Sequence, residues 1–301
     1  MSGNKAARRD IRLAGVCGWP IHHSLSPVLH EYWLKKAGIR GAYVPFMVKP
    51  WEAFDAFKSL KYTSISGVNV TLPLKEHALR AADATTDDAQ RVGAANCLYI
   101  REGRLYAHNT DMEGFSAPLL KQRPVDRLSQ MTALIFGAGG ASRAVIAALL
   151  DLGVPEIILI NRTDEKAERI CASAGLPSFY AMPWRARHDA IELADIVINS
   201  TSAGMSQYPA LDIDLSSAKI GALIYDLVYT PEMTPLLNEA RRYELDYIGG
   251  LSMLIEQARP SFRLFFGTEA PDGDPVRVLR RALASQSRRS VSTAQSSSFE
   301  S

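Results

Sequence analysis

Charge of one sign is what this chain of 301 residues most plainly lacks: 34 basic residues stand against 32 acidic ones, a net charge of +2. That balance leaves no electrostatic footprint for a nucleic acid or for an anionic membrane surface. Cysteine is scarce too. Cys17, Cys97 and Cys171 are odd in number, scattered and without a CxxC pair, which excludes a disulfide framework and a thiolate zinc site and predicts reduced thiols in a cytoplasmic protein. No apolar run approaches the ~18 residues of a spanning helix. The basic stretch Lys5–Arg12 is broken by Asp10, and the apolar residues after it include Gly18 and Pro20, so no secretory leader is expected. His22 and His23 sit next to each other on a segment read as extended, facing opposite sides with no third ligand suitably spaced. No metal is expected there.

What is present is a chain with 47% hydrophobic residues, long enough for two domains. From Ile11 onward, strand-like and helix-like segments alternate, the pattern of an α/β fold with mainly parallel sheet. Strands are expected at Leu13–Cys17, Ala42–Val48 and Ser66–Val70. Helices are expected at Pro27–Ala37, stopped by Gly38, and at Trp51–Leu60, with a further helix around Lys75 that Pro73 can start. A doubly wound unit follows: strand Thr132–Phe136, glycine turn, helix Ser142–Leu152, strand Glu156–Ile160, then strands Asp195–Asn199 and Leu223–Asp226. The fold class is thus an N-terminal α/β domain at 11–111 and a Rossmann-type nucleotide-binding domain at 112–249. A helical region at 250–284 is expected to fold back onto the first domain. The Ser-rich stretch 285–301 has too little apolar surface to order itself and is read as a disordered tail.

The turn Gly137-Ala138-Gly139-Gly140-Ala141 links a buried strand to an apolar helix. Gly137 permits a tight turn, Gly139 lets backbone approach a pyrophosphate, and the helix N-terminus faces its charge. Ser142 stands where the third glycine of the fingerprint belongs, so the pattern by itself also fits a plain loop. An NAD site places an acidic residue at the end of the next strand to bind the ribose 2′-hydroxyl. Here that end reads Asn161-Arg162-Thr163, with Lys166 one turn on, a set suited to the 2′-phosphate of NADP. Asp164 and Glu165 lie close by, and Arg162 also fits an ordinary surface position.

Other polar positions cluster on either side of that turn. Ser24 and Ser26 precede a helix, with Ser26 placed at its N-cap and Pro27 at the first helical position. One cap serine needs no function. Two serines spaced i, i+2, beside the positive end of a helix, also suit a carboxylate. Asn69, Thr71 and Lys75 fall at a strand end and the following helix start, where open α/β sheets bind ligands. Most helical lysines are solvated. The apolar Val70-Thr-Leu-Pro-Leu74 run nevertheless suits a partly buried ammonium, which needs a carboxylate partner, and Asp111 in Asn109-Thr110-Asp111 supplies one.

In order and wording these motifs, together with Gly93-Ala-Ala-Asn96 and Gly250-Leu251 through Gln257, resemble the shikimate dehydrogenase family over nearly the whole chain apart from its two ends. The resemblance implies NADP-dependent reduction of 3-dehydroshikimate to shikimate in aromatic amino-acid synthesis, by an enzyme acting as a monomer or homodimer on a small-molecule substrate. It implies Lys75 and Asp111 as the catalytic dyad, with Ser24, Ser26 and Tyr229 on the substrate carboxylate. Asn96 and Gln257 would bind substrate hydroxyls, and Asn69 and Thr71 complete the substrate-binding set. It adds Thr201, Met205, Val228 and Gly250 to the cofactor residues already named. Departures from the family wording are Met112 for a common glycine, Cys97 for a common threonine, and Arg259-Pro260 for small residues. An NAD-dependent quinate/shikimate dehydrogenase is the alternative enzyme. A regulator that binds a metabolite without turning it over is disfavoured by the retention of Lys75 and Asp111.

Overall fold

A computed structural model describes residues 11–297, and side chains as far as residue 286. The chain divides into two compact units. The first holds the described residues up to Gln90, Ala94–His108 and Ala258–Pro275; the second holds Arg91–Gly93, Asn109–Gln257 and the chain from Val276.

The first unit is built on β1 (Arg12–Gly18), α1 (Ser26–Ala37), β2 (Gly41–Met47), α2 (Ala53–Ser59), β3 (Ile65–Val70), α3 (Lys75–Ala81), β4 (Ala84–Thr85), the start of α4 (Asp87–Val92), β5 (Cys97–Arg101) and β6 (Arg104–His108). Its sheet has the order β2-β1-β3-β5-β6-β4. Gly38 ends α1 in the left-handed conformation at φ 64°, as its position in the sequence requires. The sheet is less parallel than the alternation of segments suggests, because β5 runs antiparallel to both β3 and β6. The cause is a two-residue turn, Glu102-Gly103, with φ 53° and 73°. Two positive values in succession match the right-handed twist of the flanking strands and close a hairpin.

Alternation along β3 sends Val68 and Val70 into a core with Phe57, Leu74 and Ala78 of α2, α3 and the turn between β3 and α3. Gly67 and Asn69 face the other side. A side chain at position 67 would meet Phe265 at 2.5 Å, so the absence of Cβ is what lets an aromatic helix lie on the strand. Phe262, Phe265 and Phe266 there surround the buried His30, which stacks on Tyr43 at 3.9 Å. Burial lowers the His30 pKa to about 3, so the ring is neutral in this core. These contacts explain why Ala258–Pro275 joins the first unit.

The second unit contains α5 (Asp111–Gln122), α6 (Val125–Leu128), β7 (Thr132–Phe136), α7 (Gly140–Asp151), β8 (Glu156–Ile160), α8 (Asp164–Ala174), β9 (Phe179–Ala181), α9 (Arg187–Leu193), β10 (Ile196–Asn199), β11 (Leu223–Asp226), α10 (Pro235–Arg242), β12 (Asp246–Gly249), the first part of α11 (Gly250–Phe266) and most of α12 (Pro275–Ser297). Its sheet is parallel throughout, in the order β12-β11-β10-β7-β8-β9. The central strands are continuous apolar runs because helices cover both faces. The strand order reverses between β7 and β10, which opens a crevice at their C-terminal ends.

The C-terminal stretch differs from the sequence expectation of a tail from residue 285. Helix α12 continues to Ser297. Once a helix is nucleated each further residue adds a hydrogen bond, and Arg, Ala and Gln propagate it well. Residues 1–10 and 298–301 lie outside the described residues.

Candidate active site

Within the first unit, the polar positions gather at the C-terminal ends of β1 and β3. Ser24 and Ser26 are brought together, though not in the way their spacing suggests. The stretch before α1 is a turn, closed by the Ser24 N–H donating to the Ile21 carbonyl, and is not extended. Nor is Ser26 the cap. It is the first helical residue, Leu25 occupies the cap position at φ −87°, and Pro27 is one place later than expected. The physical reason is Leu25, fully buried, which draws the helix start toward the core. Ser24 satisfies the helix start in its place, its hydroxyl accepting from the Ser26 N–H at 3.3 Å. Ser26 is buried and its hydroxyl bonds to Tyr43. His22 and His23 are exposed, and the described residues contain no cluster able to hold a metal ion.

Tyr43 links this pair to β3. Its hydroxyl donates to Asn69 Oδ1 at 2.7 Å. The Asn69 amide donates in turn to Ser261 Oγ at 2.8 Å and to the Asn96 carbonyl at 3.2 Å. Both amide hydrogens of Asn69 therefore serve the fold, and a ligand would find there only the remaining oxygen lone pair. Thr71 follows with its N–H on the Cys17 carbonyl at 2.8 Å. Helix α3 starts at Lys75 and not at Pro73, because a turn with the Leu74 N–H on the Thr71 carbonyl intervenes. Lys75 is half-buried, and its carbonyl accepts from the Ala95 N–H at 3.0 Å, one residue before Asn96. Asn96 is buried. Of the departures in this unit, Cys97 is buried and bonded to Ser261, its thiol pushed up to about 12 and so neutral.

Within the second unit, Asp111 opens α5, buried, with its N–H on Asn109 Oδ1 at 3.0 Å. Thr110 donates to Gln257 Oε1 at 3.3 Å. A side chain on Gly114 would collide with Gln257 Cβ, so glycine there allows α5 and α11 to touch. Asp111 and Gln257 are thereby brought to one place. Met112, in the next position, is buried in the same helix.

The glycine turn fits a dinucleotide. Gly137 has φ 112°, and a side chain there would also meet Ser200 Oγ at 2.9 Å. Nothing lies within 4 Å of where a Gly139 side chain would begin, which leaves room for a pyrophosphate against the backbone. Ser142 has a role of its own. Its hydroxyl accepts from the Gly139 N–H at 3.1 Å and bonds to Ser200 Oγ at 2.8 Å, while Ser200 donates to the Phe136 carbonyl. The residue that weakens the glycine fingerprint thus joins the ends of β7 and β10 across the crevice. Neither the period nor the composition of the sequence signals this.

At the end of β8, Arg162, Thr163 and Lys166 are exposed, and the Asn161 amide donates to the Thr163 carbonyl at 2.9 Å, shaping the turn. Of the two nearby carboxylates, Glu165 is exposed and Asp164 accepts from the Trp184 N–H at 2.8 Å, which ties one of its oxygens to the chain's own backbone. The donor set presented here is cationic and hydroxylic, as a 2′-phosphate requires.

Thr201 donates to Asn199 Oδ1 through both its N–H and its hydroxyl, at 3.1 and 2.7 Å. The turn runs on through Gly204 to Met205, and the Ser206 N–H reaches the Thr230 carbonyl, close in sequence to Val228 and Tyr229. A Cβ at Gly250 would meet the Leu227 carbonyl oxygen, so only glycine lets α11 start against that backbone. Asp226 is a buried residue that sequence reasoning missed. The signal was a single carboxylate ending the apolar strand Leu-Ile-Tyr-Asp.

Three family models match: the shikimate dehydrogenase substrate binding domain over residues 16–98, shikimate / quinate 5-dehydrogenase over 119–241, and the shikimate 5′-dehydrogenase C-terminal domain over 250–283. A protein of Rhodospirillum rubrum named shikimate dehydrogenase (NADP+) is 44% identical over 272 residues, covering 89% of this chain and 96% of its own length. The shikimate 5-dehydrogenase of Thermus thermophilus, solved in complex with NADP(H) and shikimate, is 34% identical with a TM-score of 0.80 over 90% of this chain and 100% of its own. Quinate dehydrogenase from Corynebacterium glutamicum, solved in complex with NAD, is 28% identical with a TM-score of 0.80 over 91% and 99%. With models matched from one end of the described chain nearly to the other, and polar motifs gathered at the strand ends where this architecture binds ligands, the chain belongs to the shikimate dehydrogenase family.

Proposed function

We propose that the chain catalyses the reversible, NADP-dependent reduction of 3-dehydroshikimate to shikimate. The observation that carries the cofactor choice is the end of β8, where Arg162 and Lys166 are presented and Asp164 is tied to Trp184. Identity to a named NADP+ enzyme of the family carries the substrate. Residues 11–111, with the helical 250–284, are read as the substrate-binding part and 112–249 as the NADP-binding part. The enzyme is read as a cytoplasmic monomer or homodimer, the compartment from its three scattered free cysteines.

Bound NADPH supplies a hydride to the ring ketone. The chain's own residues then divide the remaining work. Lys75 stabilises the negative charge that grows on the ketone oxygen and delivers a proton to it. Asp111 accepts a substrate hydroxyl and completes the dyad. Ser24, Ser26 and Tyr229 hold the carboxylate, while Asn69, Thr71, Asn96 and Gln257 fix the ring hydroxyls. Asn69 does so with the one lone pair that Tyr43 leaves. Gly137 through Ala141, Asn161, Arg162, Thr163, Lys166, Thr201, Met205, Val228 and Gly250 bind NADP. Steady-state rates with shikimate and quinate, each paired with NADP and NAD, test this reading. Shikimate with NADP is expected to give the highest kcat/KM. A higher value for quinate with NAD would replace the assignment with that of a quinate dehydrogenase.

The two serines yield a sharper expectation. A hydrogen bond to a charged group is worth about 1.5–3 kcal/mol, so Ser24→Ala should raise the KM for shikimate roughly tenfold or more and lower kcat little. Ser26→Ala should raise KM and also lower the melting temperature, because its hydroxyl is buried against Tyr43. Unchanged KM in both variants would end the carboxylate assignment.

A further inference from the structure

Asp226 has no part in the chemistry described so far, yet its side chain makes three hydrogen bonds at the C-terminal edge of the second sheet. It is fully buried. Its Oδ1 accepts from Asn199 Nδ2 at 2.9 Å and from the Val228 N–H at 3.0 Å, and its Oδ2 accepts from the Thr234 hydroxyl at 2.6 Å. None of these three donors is charged. Burial pushes the carboxyl up to about 6, against the pull of all three bonds. A buried carboxylate held only by neutral groups opposes folding relative to an apolar side chain, so the stability of the fold does not account for it.

Its effect on Asn199 does. A side-chain amide has a donor end and an acceptor end, and a carboxylate can face only the donor end. Asp226 pairs with Asn199 in the parallel register of β10 and β11. With Nδ2 turned to Asp226 and to the Ala203 carbonyl at 3.0 Å, Oδ1 is aimed at both the N–H and the hydroxyl of Thr201. The Thr201 hydroxyl accepts in turn from the Ala203 N–H at 3.0 Å. Every polar atom in the chain Asp226–Asn199–Thr201 is satisfied, the condition under which a buried network rigidifies its surroundings. The other half of the carboxylate holds Thr234, whose oxygen also caps α10 by accepting from the Leu237 N–H at 3.2 Å.

We propose that Asp226 is a positioning residue for the cofactor. It fixes the orientation of Asn199 and pins the backbone at Val228, and so sets the Thr201–Met205 turn and the Val228–Tyr229 segment in register with each other. The proposal rests on the reading that these two segments bind NADP.

The test is NADPH affinity, read by fluorescence titration, in Asp226→Asn, Asn199→Ala and the double variant. Asp226→Asn puts a donor where only acceptors were, and it should weaken NADPH binding roughly tenfold or more. The KM for shikimate should move less than about threefold if the effect is confined to the cofactor segments. Asn199→Ala removes the amide that Asp226 orients, so adding Asp226→Asn to it should cost less affinity than Asp226→Asn costs alone. Additive losses in the double variant, or NADPH affinity unchanged in Asp226→Asn, would overturn the proposal. If Asp226→Asn does not fold, Asp226→Leu decides alone: folded with weakened NADPH binding supports the role, whereas folded with wild-type affinity, or failure to fold, overturns it. Met205→Ala separates this from the underlying assignment. Lost NADPH affinity there, with wild-type affinity in Asp226→Asn, removes only the positioning role. Wild-type affinity in Met205→Ala removes the assignment of the turn to the cofactor, and this proposal with it.

Discussion

Lys75→Ala is expected to lower kcat by about 10²–10⁴-fold while the KM for shikimate changes little. During reduction a full negative charge forms on an oxygen that is neutral in the bound ketone. An ammonium beside it therefore acts on the transition state far more than on the ground state. The position of Lys75 suits that role. It is half-buried at the first turn of α3, behind the fully buried Leu74, and its own carbonyl is anchored by the Ala95 N–H. Lys75→Arg separates the two parts of the role. Arginine keeps the charge but holds its proton too tightly to deliver it, so this variant should recover only the electrostatic share. Asp111→Asn should also slow turnover. If the two act as one unit, the double variant should be little worse than Lys75→Ala alone. A Lys75→Ala enzyme with near-normal kcat would make the residue an ordinary helix lysine and leave the proposed proton delivery without a donor.

The parts of this site that local pattern dictates were legible in the chain, and those that depend on distant partners were not. The strand, glycine turn and helix around Gly137 follow from apolar runs and from a backbone geometry only glycine accepts. Gly38 stops α1 for the same reason. The β5–β6 hairpin was missed because its turn is Glu-Gly, a weaker signal than Asn-Gly or Asp-Gly for two positive φ values. The cap of α1 falls one residue before the serine that the sequence points to: local preference puts a serine at the cap, but the burial of Leu25 decides where the helix begins. Ser142, Asn69 and Asp226 were beyond local reading. Ser142 bonds to Ser200, Asn69 to Ser261 and Asp226 to Asn199, partners 58, 192 and 27 residues away. A polar residue at the end of an apolar strand says that something must satisfy it; only the fold says what.

Arg162→Ala is expected to raise the KM for NADP roughly tenfold or more and to leave the KM for NAD nearly unchanged. The two cofactors differ by one phosphate on the ribose, so preference between them measures what the protein offers that phosphate. At the end of β8 it offers a guanidinium, a hydroxyl and, one helical turn on, an ammonium, all exposed. Each good hydrogen bond from a cation is worth about 1.5–3 kcal/mol, and about 1.4 kcal/mol is a factor of ten. Of the two carboxylates nearby, Asp164 has its Oδ1 on the Trp184 N–H and Glu165 is exposed in the first turn of α8. Lys166→Ala should have a smaller effect than Arg162→Ala, because an ammonium contributes charge without the two-pronged geometry of a guanidinium. High salt should narrow the preference in wild type, since both cations are exposed and screened. Arg162→Asp should go further than Arg162→Ala, repelling the phosphate and presenting an acceptor to the ribose hydroxyl, so that NAD becomes the better cofactor. Equal kcat/KM with NADP and NAD in the wild type, or an unchanged ratio in Arg162→Ala, would place the phosphate elsewhere and leave Arg162 as a surface residue.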